Sequence, residues 1–422
     1  MSDKWTHGSR RVVITGYGCL TSMGENAADT WQAMVDYKVG YKRHELTDQT
    51  IKAKYFAFIE EKKERYKGFP KQILRSIPLF GKYTLVAARE AVNHAFGNAE
   101  NLAKAYSPFD CGAIMGTGWG GLDQAFDIRD EYRDTGFCNS AGSLISMPSI
   151  ASAACSLSWN LRGYQNTVIG ACATGTIAVG DAYEIIRSGR ATMMLAGGAE
   201  SIRTENNVWS IDVLQALAKE QDDIAKACCP FSLDRNGFIL AEGAAVLCLE
   251  ERDAAIARGA NILAEITGYG MYSDARDLSA PAEDMEARTR SILTAMYQAD
   301  IKPSDIDYIN AHGTSTPLND VNESDTIKRA LGETAYQIPI SSTKSYTGHM
   351  IAAAGSFETI VCVKTIETGL LPATLNLNNP DPACDLNYIP NRHIEGADVK
   401  TVMNLSCGFG GLNAALVLEK AQ

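Results

Sequence analysis

Four short stretches of the chain carry residues that could perform nucleophilic chemistry. Cys172 lies in GACATG, where an apolar run ends and a helical pattern of small residues begins. His312 lies in NAHGTST, Lys344 and His349 lie in STKSYTGH, and Phe409 is enclosed by glycines in CGFGG. A thiolate nucleophile, two neutral histidine donors, a cation and a flexible backbone N–H suit thioester chemistry that passes through an oxyanion and an enolate.

Each of these stretches follows a predicted strand, and open α/β sheets place their sites beyond the carboxyl ends of strands. A cysteine at a strand-to-helix turn lies at a helix N-terminus, where free N–H groups and the helix dipole favour negative charge. Any one of the eleven cysteines is most often an inert buried residue, and a lone histidine is most often structural. The conjunction of all four stretches at predicted strand ends is what indicates an active site.

Composition limits the class of protein. The 422 residues are 45% hydrophobic and 21% charged, which is an ordinary globular composition for two or three domains or two large halves. The formal net charge of -11 argues against a general nucleic-acid or anionic-membrane binder.

The cysteines and the first residues indicate the cytoplasm. Eleven cysteines without a regular CxxC framework are typical of reduced thiols. MSDKWTHGSRRVVITGYG passes from a polar tail directly into a strand pattern, so the sequence predicts no signal peptide. No segment reaches the roughly 18 uninterrupted apolar residues of a membrane span. Histidines and cysteines do not cluster along the chain at ligand spacings, so we expect no metal site.

An internal repeat predicts how the chain is organised. ITGYG occurs at 14–18 and again at 266–270, each time closing a strand-like run. A second pair of similar segments follows, one around GACATGTIAVG and one around STKSYTGHMIAAAG. Each is a strand, a turn of small or polar residues, and a helix that ends at a glycine, Gly189 or Gly369. Two matched segments in the same order indicate a duplication.

We therefore predict an α/β fold with two similar halves, 1–260 and 261–422. Apolar strands alternate with helical stretches such as 285–299, which favours parallel or mixed sheets covered by helices. Residues 24–110 are interpreted as an insertion that caps the first half. Residues 125–165 are interpreted as a second insertion, with an apolar stripe for a subunit interface.

The motifs GACATG, NAHGTST, STKSYTGH and GFGGLN, with CPFSLDRNGFILAEGAAVLCLEE among them, resemble the elongating β-ketoacyl-acyl carrier protein synthases of type II fatty acid and polyketide synthesis. The resemblance extends from RRVVITGYG to the C-terminus in the family's order. It implies the thiolase fold, with two α/β halves in five α-β-α-β-α layers, normally as a dimer. It also implies no dissociable cofactor, because protein groups supply the chemistry.

The resemblance implies a role for each residue of the four stretches. Cys172 would take an acyl chain from its carrier protein, with the N–H groups of Cys172 and Phe409 as the oxyanion hole. His312 and His349 would stabilise the enolate left when malonyl-carrier protein loses carbon dioxide, and Lys344 would anchor the histidines electrostatically. The carbanion would attack the acyl-Cys172 carbonyl and give a β-ketoacyl product two carbons longer. Phe409 also matches a gatekeeper ring between the two steps.

Other positions match supporting residues of the family. Thr314 and Thr316 match positions that hydrogen-bond the phosphopantetheine arm. Asp320 and Glu323 match an acidic pair that supports the His312 loop.

The chain departs from the family's pattern around the acyl pocket. GACATG has glycine where threonine and serine are common, Cys407 stands where phenylalanine is common, and GGLN replaces GGTN. Trp119, in GTGWGG, stands where a modest aliphatic residue points into the pocket. We expect its indole to favour short, or planar unsaturated or aryl, acyl groups, as in a polyene-like pathway. A rotated core tryptophan and a housekeeping elongation enzyme are the alternatives.

The partners follow from the same resemblance. Because carrier proteins are acidic, an acidic synthase needs local basic surface. Lys71 and Arg75 fall near the family's docking helix, although a solvated helix face accounts for them equally well. We expect a homodimer, with a heterodimer containing a chain-length factor as the alternative.

Two other classes fit the sequence less well. A non-catalytic partner subunit typically lacks the nucleophile, which Cys172 supplies here. A degradative thiolase or a starter-type synthase usually combines its cysteine with one histidine and either a second cysteine or an asparagine. The presence of both His312 and His349 disfavours these two.

Overall fold

The computed structural model describes residues 10–421. Residues 1–9, where the sequence predicts a polar tail, and residue 422 lie outside the described part. The strands are β1 (Val12–Thr21), β2 (Lys42–Arg43), β3 (Tyr55–Ala57), β4 (Cys111–Gly116), β5 (Gln165–Asn166), β6 (Met193–Glu200), β7 (Leu240–Ala241), β8 (Gly243–Glu251), β9 (Ala264–Ser273), β10 (Tyr308–Asn310), β11 (Ile340–Ser341), β12 (Thr401–Gly408) and β13 (Leu412–Glu419). The α-helices are α1 (Ala27–Val35), α2 (Lys71–Ser76), α3 (Leu79–Phe96), α4 (Ala99–Ala105), α5 (Leu122–Thr135), α6 (Gly142–Ile145), α7 (Ile150–Trp159), α8 (Thr174–Arg187), α9 (Glu205–Asp212), α10 (Arg252–Ala257), α11 (Glu286–Ala299), α12 (Pro317–Leu331), α13 (Lys344–Thr347) and α14 (Ala354–Thr368).

One ten-stranded sheet carries both halves of the chain, in the order β11-β10-β12-β13-β9-β1-β8-β6-β4-β5. Counted outward from the central β1–β9 pair, each half places its own strands in the same order: first, fifth, fourth, second and third along the chain. In each half the two outer pairings are parallel and the two inner pairings are antiparallel. The two ITGYG copies lie in β1 and β9, which pair with each other. This shared topology is what a duplication predicts.

The helices form layers on this sheet. α8 and α14 pack on each other between the two halves of the sheet. α3 and α7 cover the outer face of the first half, and α11, with α12 packed on it, covers the second. The architecture is the five-layer α-β-α-β-α arrangement that the resemblance implies.

Small residues bring the two central helices into backbone contact. A Cβ added at Gly175 on α8 would lie 2.5 Å from the backbone N of Ser356 on α14. A Cβ added at Gly355 would lie 2.6 Å from the backbone N of Thr176. Larger side chains at either glycine would force the helices apart. The small residues of these segments therefore set the distance between α8 and α14.

Two expectations about local structure are wrong. The insertion predicted over 24–110 contains α3, whose apolar face packs on β1 and β8 as part of the outer layer of the first half. The run before Cys172 is not a strand over 167–170, because pairing with β4 ends after the two residues of β5. The division at 260/261 remains a prediction, and the chain crosses between the halves there, after α10 and before β9.

Among the helices of residues 10–421, none combines the length and the apolar character needed to cross a membrane.

Candidate active site

The four stretches converge on one cavity of about 360 Å³. Cys172 lies in a 3-10 turn directly before α8, and His312 follows β10. His349 precedes the turn that leads into α14, and Phe409 lies between β12 and β13. All four residues line the cavity.

The two central helices begin with equivalent strained turns. Ala171 and Ile351 adopt left-handed φ values of 47° and 48°, which non-glycine residues rarely adopt. Each is the first residue of a 3-10 turn, 171–173 or 351–353, that leads into a central helix. Such strain persists only where the surrounding packing enforces it, and here it directs Cys172 at the start of α8 toward His349 at the start of α14.

The cysteine and the two histidines form a compact buried group. The Cys172 sulfur and one ring nitrogen each of His312 and His349 all lie within 4.8 Å of one another. Their residues are 5%, 3% and 1% exposed, so water has little access to the space between them. The imidazole rings of the two histidines are nearly perpendicular, with centroids 5.5 Å apart. Folding thus assembles from distant segments a cluster that spacing along the chain did not predict, and the same donor set suits a thiophilic metal ion.

Hydrogen bonding sets which histidine atoms can act as donors. His349 Nδ1 accepts from the backbone N–H of Ile351 at 3.1 Å, so the neutral ring carries its proton on Nε2. That Nε2 has no partner among the described residues, and neither does His312 Nδ1. Burial, reinforced by the charge of Lys344, lowers the pKa of both histidines well below the usual value. Both rings are therefore neutral near pH 7 and can donate into the cavity.

The Cys172 thiol is protonated in the resting site. Burial raises its pKa to about 12, while the Lys344 charge and the N–H of Phe409 act in the opposite direction. The argument from the helix N-terminus favoured a thiolate, and the cost of burying an anion outweighs that effect. The backbone N–H of Phe409 lies within hydrogen-bonding reach of the Cys172 sulfur.

Lys344 is committed to a buried ion pair. Its Nζ contacts Glu358 Oε1 on α14, and the two side chains are 1% and 2% exposed. Burial raises the pKa of Glu358 and the lysine lowers it. The lysine charge still acts on Cys172 and on both histidines, and its expected role as an electrostatic anchor remains a prediction.

Of the two predicted acidic residues, Glu323 contacts the His312 loop, whereas Asp320 contacts the segment that contains Phe231. Glu323 accepts the backbone N–H groups of His312 and Gly313 at 2.7 and 2.8 Å. Asp320 accepts the backbone N–H of Phe231 at 2.9 Å. Both carboxyl groups lie on α12, and burial raises the pKa of each, to about 6 for Asp320.

The predicted pantetheine-binding residues line the cavity. Thr314 and Thr316 flank Ser315, and their hydroxyl groups lie 2.9 Å apart. Arg288, which the sequence arguments did not single out, lines the same cavity with Asn319.

Trp119 lies in a different environment. It is half-buried and packs against the apolar cluster that contains Cys172, Phe238 and Ile351, and it is not part of the cavity lining. Its loop is held by Glu200, which accepts the Gly118 N–H at 2.7 Å. Burial raises the pKa of Glu200 to about 8.

Lys71 and Arg75 are exposed on α2 and do not line the cavity. Neither residue belongs to the group formed by Cys172, His312 and His349. Their expected role in docking remains a prediction.

Sequence reasoning missed Glu358, Glu200 and Arg288. A signal existed for Glu358, which is the one carboxyl group in the central small-residue run AAAGSFETIVC. A charged residue inside such a run must be paired, because a buried isolated charge is costly. Glu200 ends the apolar strand β6 in the same way, whereas Arg288 lies in an ordinary amphipathic pattern that carries no such signal.

Comparison with known proteins agrees with this geometry. Residues 9–255 match the family described as the N-terminal domain of beta-ketoacyl synthase, and residues 263–378 match its C-terminal domain. The chain is 35% identical over 415 residues, 98% of its own length and 99% of the relative's, to 3-oxoacyl-(acyl-carrier-protein) synthase 2 of Synechocystis sp..

Solved structures extend the comparison. The chain resembles the AntDE ketosynthase in complex with its type II polyketide acyl-carrier protein AntF, at 32% identity and a TM-score of 0.86, over 98% of this chain and 100% of that one. It also resembles the ishigamide ketosynthase/chain length factor, at 29% identity and a TM-score of 0.85, with the same coverage.

The raised pKa of Cys172 predicts an unusual pH profile for alkylation. Because the thiolate reacts, the rate of Cys172 modification by iodoacetamide should rise about tenfold per pH unit from pH 6.5 to 9.5 without a plateau. Peptide mapping by mass spectrometry would follow this site. The double variant Lys344→Met/Glu358→Gln removes the stabilising cation without stranding a buried carboxylate, and should react more slowly at every pH. A plateau near pH 8 would contradict the assignment of a raised pKa.

Proposed function

Because the chain belongs to the beta-ketoacyl synthase family, we propose that it condenses an acyl group held on Cys172 with a malonyl group delivered by an acyl carrier protein. The observation that carries the proposal is the convergence of one thiol and two neutral imidazoles within 4.8 Å in a buried cavity. The relatives named above support the use of carrier-bound substrates.

The first step is acyl transfer. The Cys172 sulfur attacks the thioester carbon of the acyl-carrier protein, and the oxygen of that carbonyl becomes an oxyanion. The N–H groups of Cys172 and Phe409 form the oxyanion hole and donate hydrogen bonds to this oxygen. Collapse of the intermediate breaks the carbon–sulfur bond to the carrier, whose thiol leaves with the proton that Cys172 gives up.

The second step is decarboxylation. The bond between the malonyl α-carbon and its carboxylate breaks, and the electron pair passes into a thioester enolate. Donation from His349 Nε2 and from the His312 ring to the enolate oxygen stabilises the negative charge. Neutral donors suit this task, because they strengthen as charge develops on the oxygen and do not protonate the carbon nucleophile.

The third step forms the new bond. The enolate carbon attacks the acyl-Cys172 carbonyl, and the carbon–sulfur bond to Cys172 then breaks. The sulfur takes up a proton, and the β-ketoacyl chain, two carbons longer, remains on the second carrier protein. Thr314 and Thr316 hydrogen-bond the pantetheine arm in this scheme, and Phe409 gates the exchange of carriers.

The supporting residues hold this arrangement. Glu323 holds the His312 loop through two backbone N–H groups, Asp320 holds the neighbouring Phe231 N–H, and Lys344 anchors the histidines with its charge. The buried pair of Lys344 with Glu358 supports that role, because it places the positive charge at a constant position behind the two rings.

Trp119 sets acyl-chain selectivity in this proposal. It packs against the same apolar cluster as Cys172, where an acyl chain attached to the sulfur would have to lie. An indole at this position favours short, planar unsaturated or aryl chains, and thus a specialised, polyene-like pathway. Housekeeping fatty acid elongation is the alternative.

The chain works as a homodimer with carrier proteins as partners. The sheet ends at β5, an exposed edge strand, and Leu157 on α7 and Ile169 after β5 are 71% and 57% exposed. A second copy would cover this edge and these side chains. A heterodimer with a chain-length-factor subunit is the alternative, which the ishigamide structure favours.

Lys71 and Arg75 dock the acidic carrier. The free cysteines favour a cytoplasmic location.

Acylation of Cys172 tests the reaction class. Incubation with a panel of acyl-carrier proteins should add one acyl group to the wild-type chain, detected by intact-mass spectrometry. The Cys172→Ala variant should remain unmodified, because it lacks the thiol that lies within 4.8 Å of His312 and His349. Adding malonyl-carrier protein to the acylated enzyme should remove the adduct and release carbon dioxide. An adduct that persists in Cys172→Ala would exclude this nucleophile.

Replacing Trp119 tests acyl selectivity. Trp119→Ile should raise the rate of Cys172 acylation by long saturated chains relative to short ones by about tenfold, because several methylene groups gain room. Trp209→Ile is the matched control, since Trp209 lies half-exposed on α9 and loses the same ring. If all three proteins show the same dependence of acylation rate on chain length, Trp119 does not set acyl-chain selectivity.

Native mass spectrometry tests the assembly. The purified chain should have twice the mass of the 45.6 kDa monomer. Leu157→Lys places a charge in the proposed contact and should shift the population toward monomer, whereas Leu278→Lys, at a still more exposed leucine elsewhere, should not. A wild-type monomer that assembles only with a second, different subunit would favour the heterodimer.

A further inference from the structure

Arg288 is a buried cation that forms no direct ion pair within residues 10–421, although its charge acts to lower the pKa of the buried Glu323. It lies near the start of α11 and is 7% exposed. Its Nε donates to Asn413 Oδ1 at 3.0 Å, and its Nη1 donates to Asn319 Oδ1 at 3.2 Å. Both acceptors are neutral amides. Within residues 10–421, Arg288 forms no ion pair and its Nη2 has no acceptor.

This arrangement is energetically unusual. A guanidinium removed from water is normally compensated by the direct contact of a carboxylate or phosphate, because removing an unpaired charge from water is costly. Arg288 lines the cavity that contains Cys172 and His312, so its unused donors have a route to a bound ligand. Asp274, the acidic residue of the lining, is occupied by Asn413 Nδ2 at 2.7 Å.

Cys407 is a small neighbour of the Arg288 guanidinium. Cys407 lies beside Arg288 in the wall of the cavity, and the charge of Arg288 acts on its thiol. Phenylalanine is common at this position in the resembling family, and a ring there would compete for the same volume.

The proposed reaction brings one anion into this cavity. The malonyl group carries a free carboxylate, which loses its hydration shell when it enters. His312 and His349 are neutral and supply no compensating charge, while Lys344 is paired with Glu358. Arg288 is the one cationic side chain among the described residues of the lining.

We propose that Arg288 binds the free carboxylate of the malonyl extender group, an inference that rests on the proposed function. The planar guanidinium presents Nη2 and the remaining N–H of Nη1 to the two carboxylate oxygens, while Asn319 and Asn413 hold its orientation. When the carbon–carbon bond breaks, the electron pair passes into the enolate at the histidines. Neutral carbon dioxide then leaves, and Arg288 keeps its charge and its protons.

This role predicts a specific kinetic signature. The ion pair exists before the bond breaks and disappears as carbon dioxide forms, so it contributes to binding and not to acceleration. Arg288→Ala should raise KM for malonyl-carrier protein about tenfold and leave kcat within about twofold, or raise it. The rate of Cys172 acylation, which involves no carboxylate, should not change. Arg288→Lys should recover part of the lost binding.

Two controls separate binding from a structural role. Arg290→Ala removes an exposed guanidinium from the same helix and should leave all constants unchanged. A carrier protein loaded with the carboxamide analogue of malonate, used as a competitive inhibitor, should bind Arg288→Ala and wild type equally.

The outcomes are distinct. Loss of malonyl binding without loss of carboxamide binding or acyl transfer supports the proposal. An unchanged KM, or a parallel fall of acyl transfer and condensation in both Arg288 variants, overturns it. A wild-type enzyme that is acylated but does not condense with malonyl-carrier protein would instead refute the proposed function.

Discussion

The contact between the two central helices is the constraint on which the site depends. α8 and α14 approach so closely that their glycines leave no room for a Cβ, and the backbone of Ala352 also touches Gly198 of β6. Cys172 lies just before α8 and His349 just before the turn of α14, so this backbone contact sets the distance between them. A duplicated α/β unit, packed face to face through helices of small residues, therefore brings two strained turns together. Cys172 and His349 thus come from equivalent places in the two halves.

Burial then decides the electrostatic character of the site. Burial holds Cys172, His312 and His349 in their uncharged forms. The positive charge of Lys344, paired with Glu358, acts on all three from outside the group. A site built in this way stabilises charge as it develops, because its donors are oriented in advance and water is excluded. The same low polarity makes any further buried charge costly unless a partner compensates it. For this reason Arg288, which forms no direct ion pair among residues 10–421, is notable within the cavity.

Local sequence patterns predicted much of this arrangement. The repeated ITGYG indicated two halves, and the strand order of both halves agrees with a duplication. The motifs around Cys172, His312 and His349 identified residues that do meet in space, because each follows the end of a strand or begins a central helix. The same patterns failed where burial depends on distant segments. The helix N-terminus suggested an ionised Cys172, and only the surrounding layers show that the thiol is too deeply buried for that. The polar residues of 24–110 suggested a cap, although α3 within it has an apolar face that belongs to the sheet.

The sequence alone determined which segments form most of the strands and helices and which residues can act as nucleophile and donors. It also determined the family that these residues resemble. Only the tertiary structure decided the partners of those residues. Lys344 and Glu358 are close along the chain but meet because α13 and α14 turn toward each other, and Arg288 reaches the cavity from α11 more than one hundred residues after Cys172. The physical reason is that propensity and periodicity act over a few residues, whereas burial, pKa and ion pairing are set by side chains that only packing brings together.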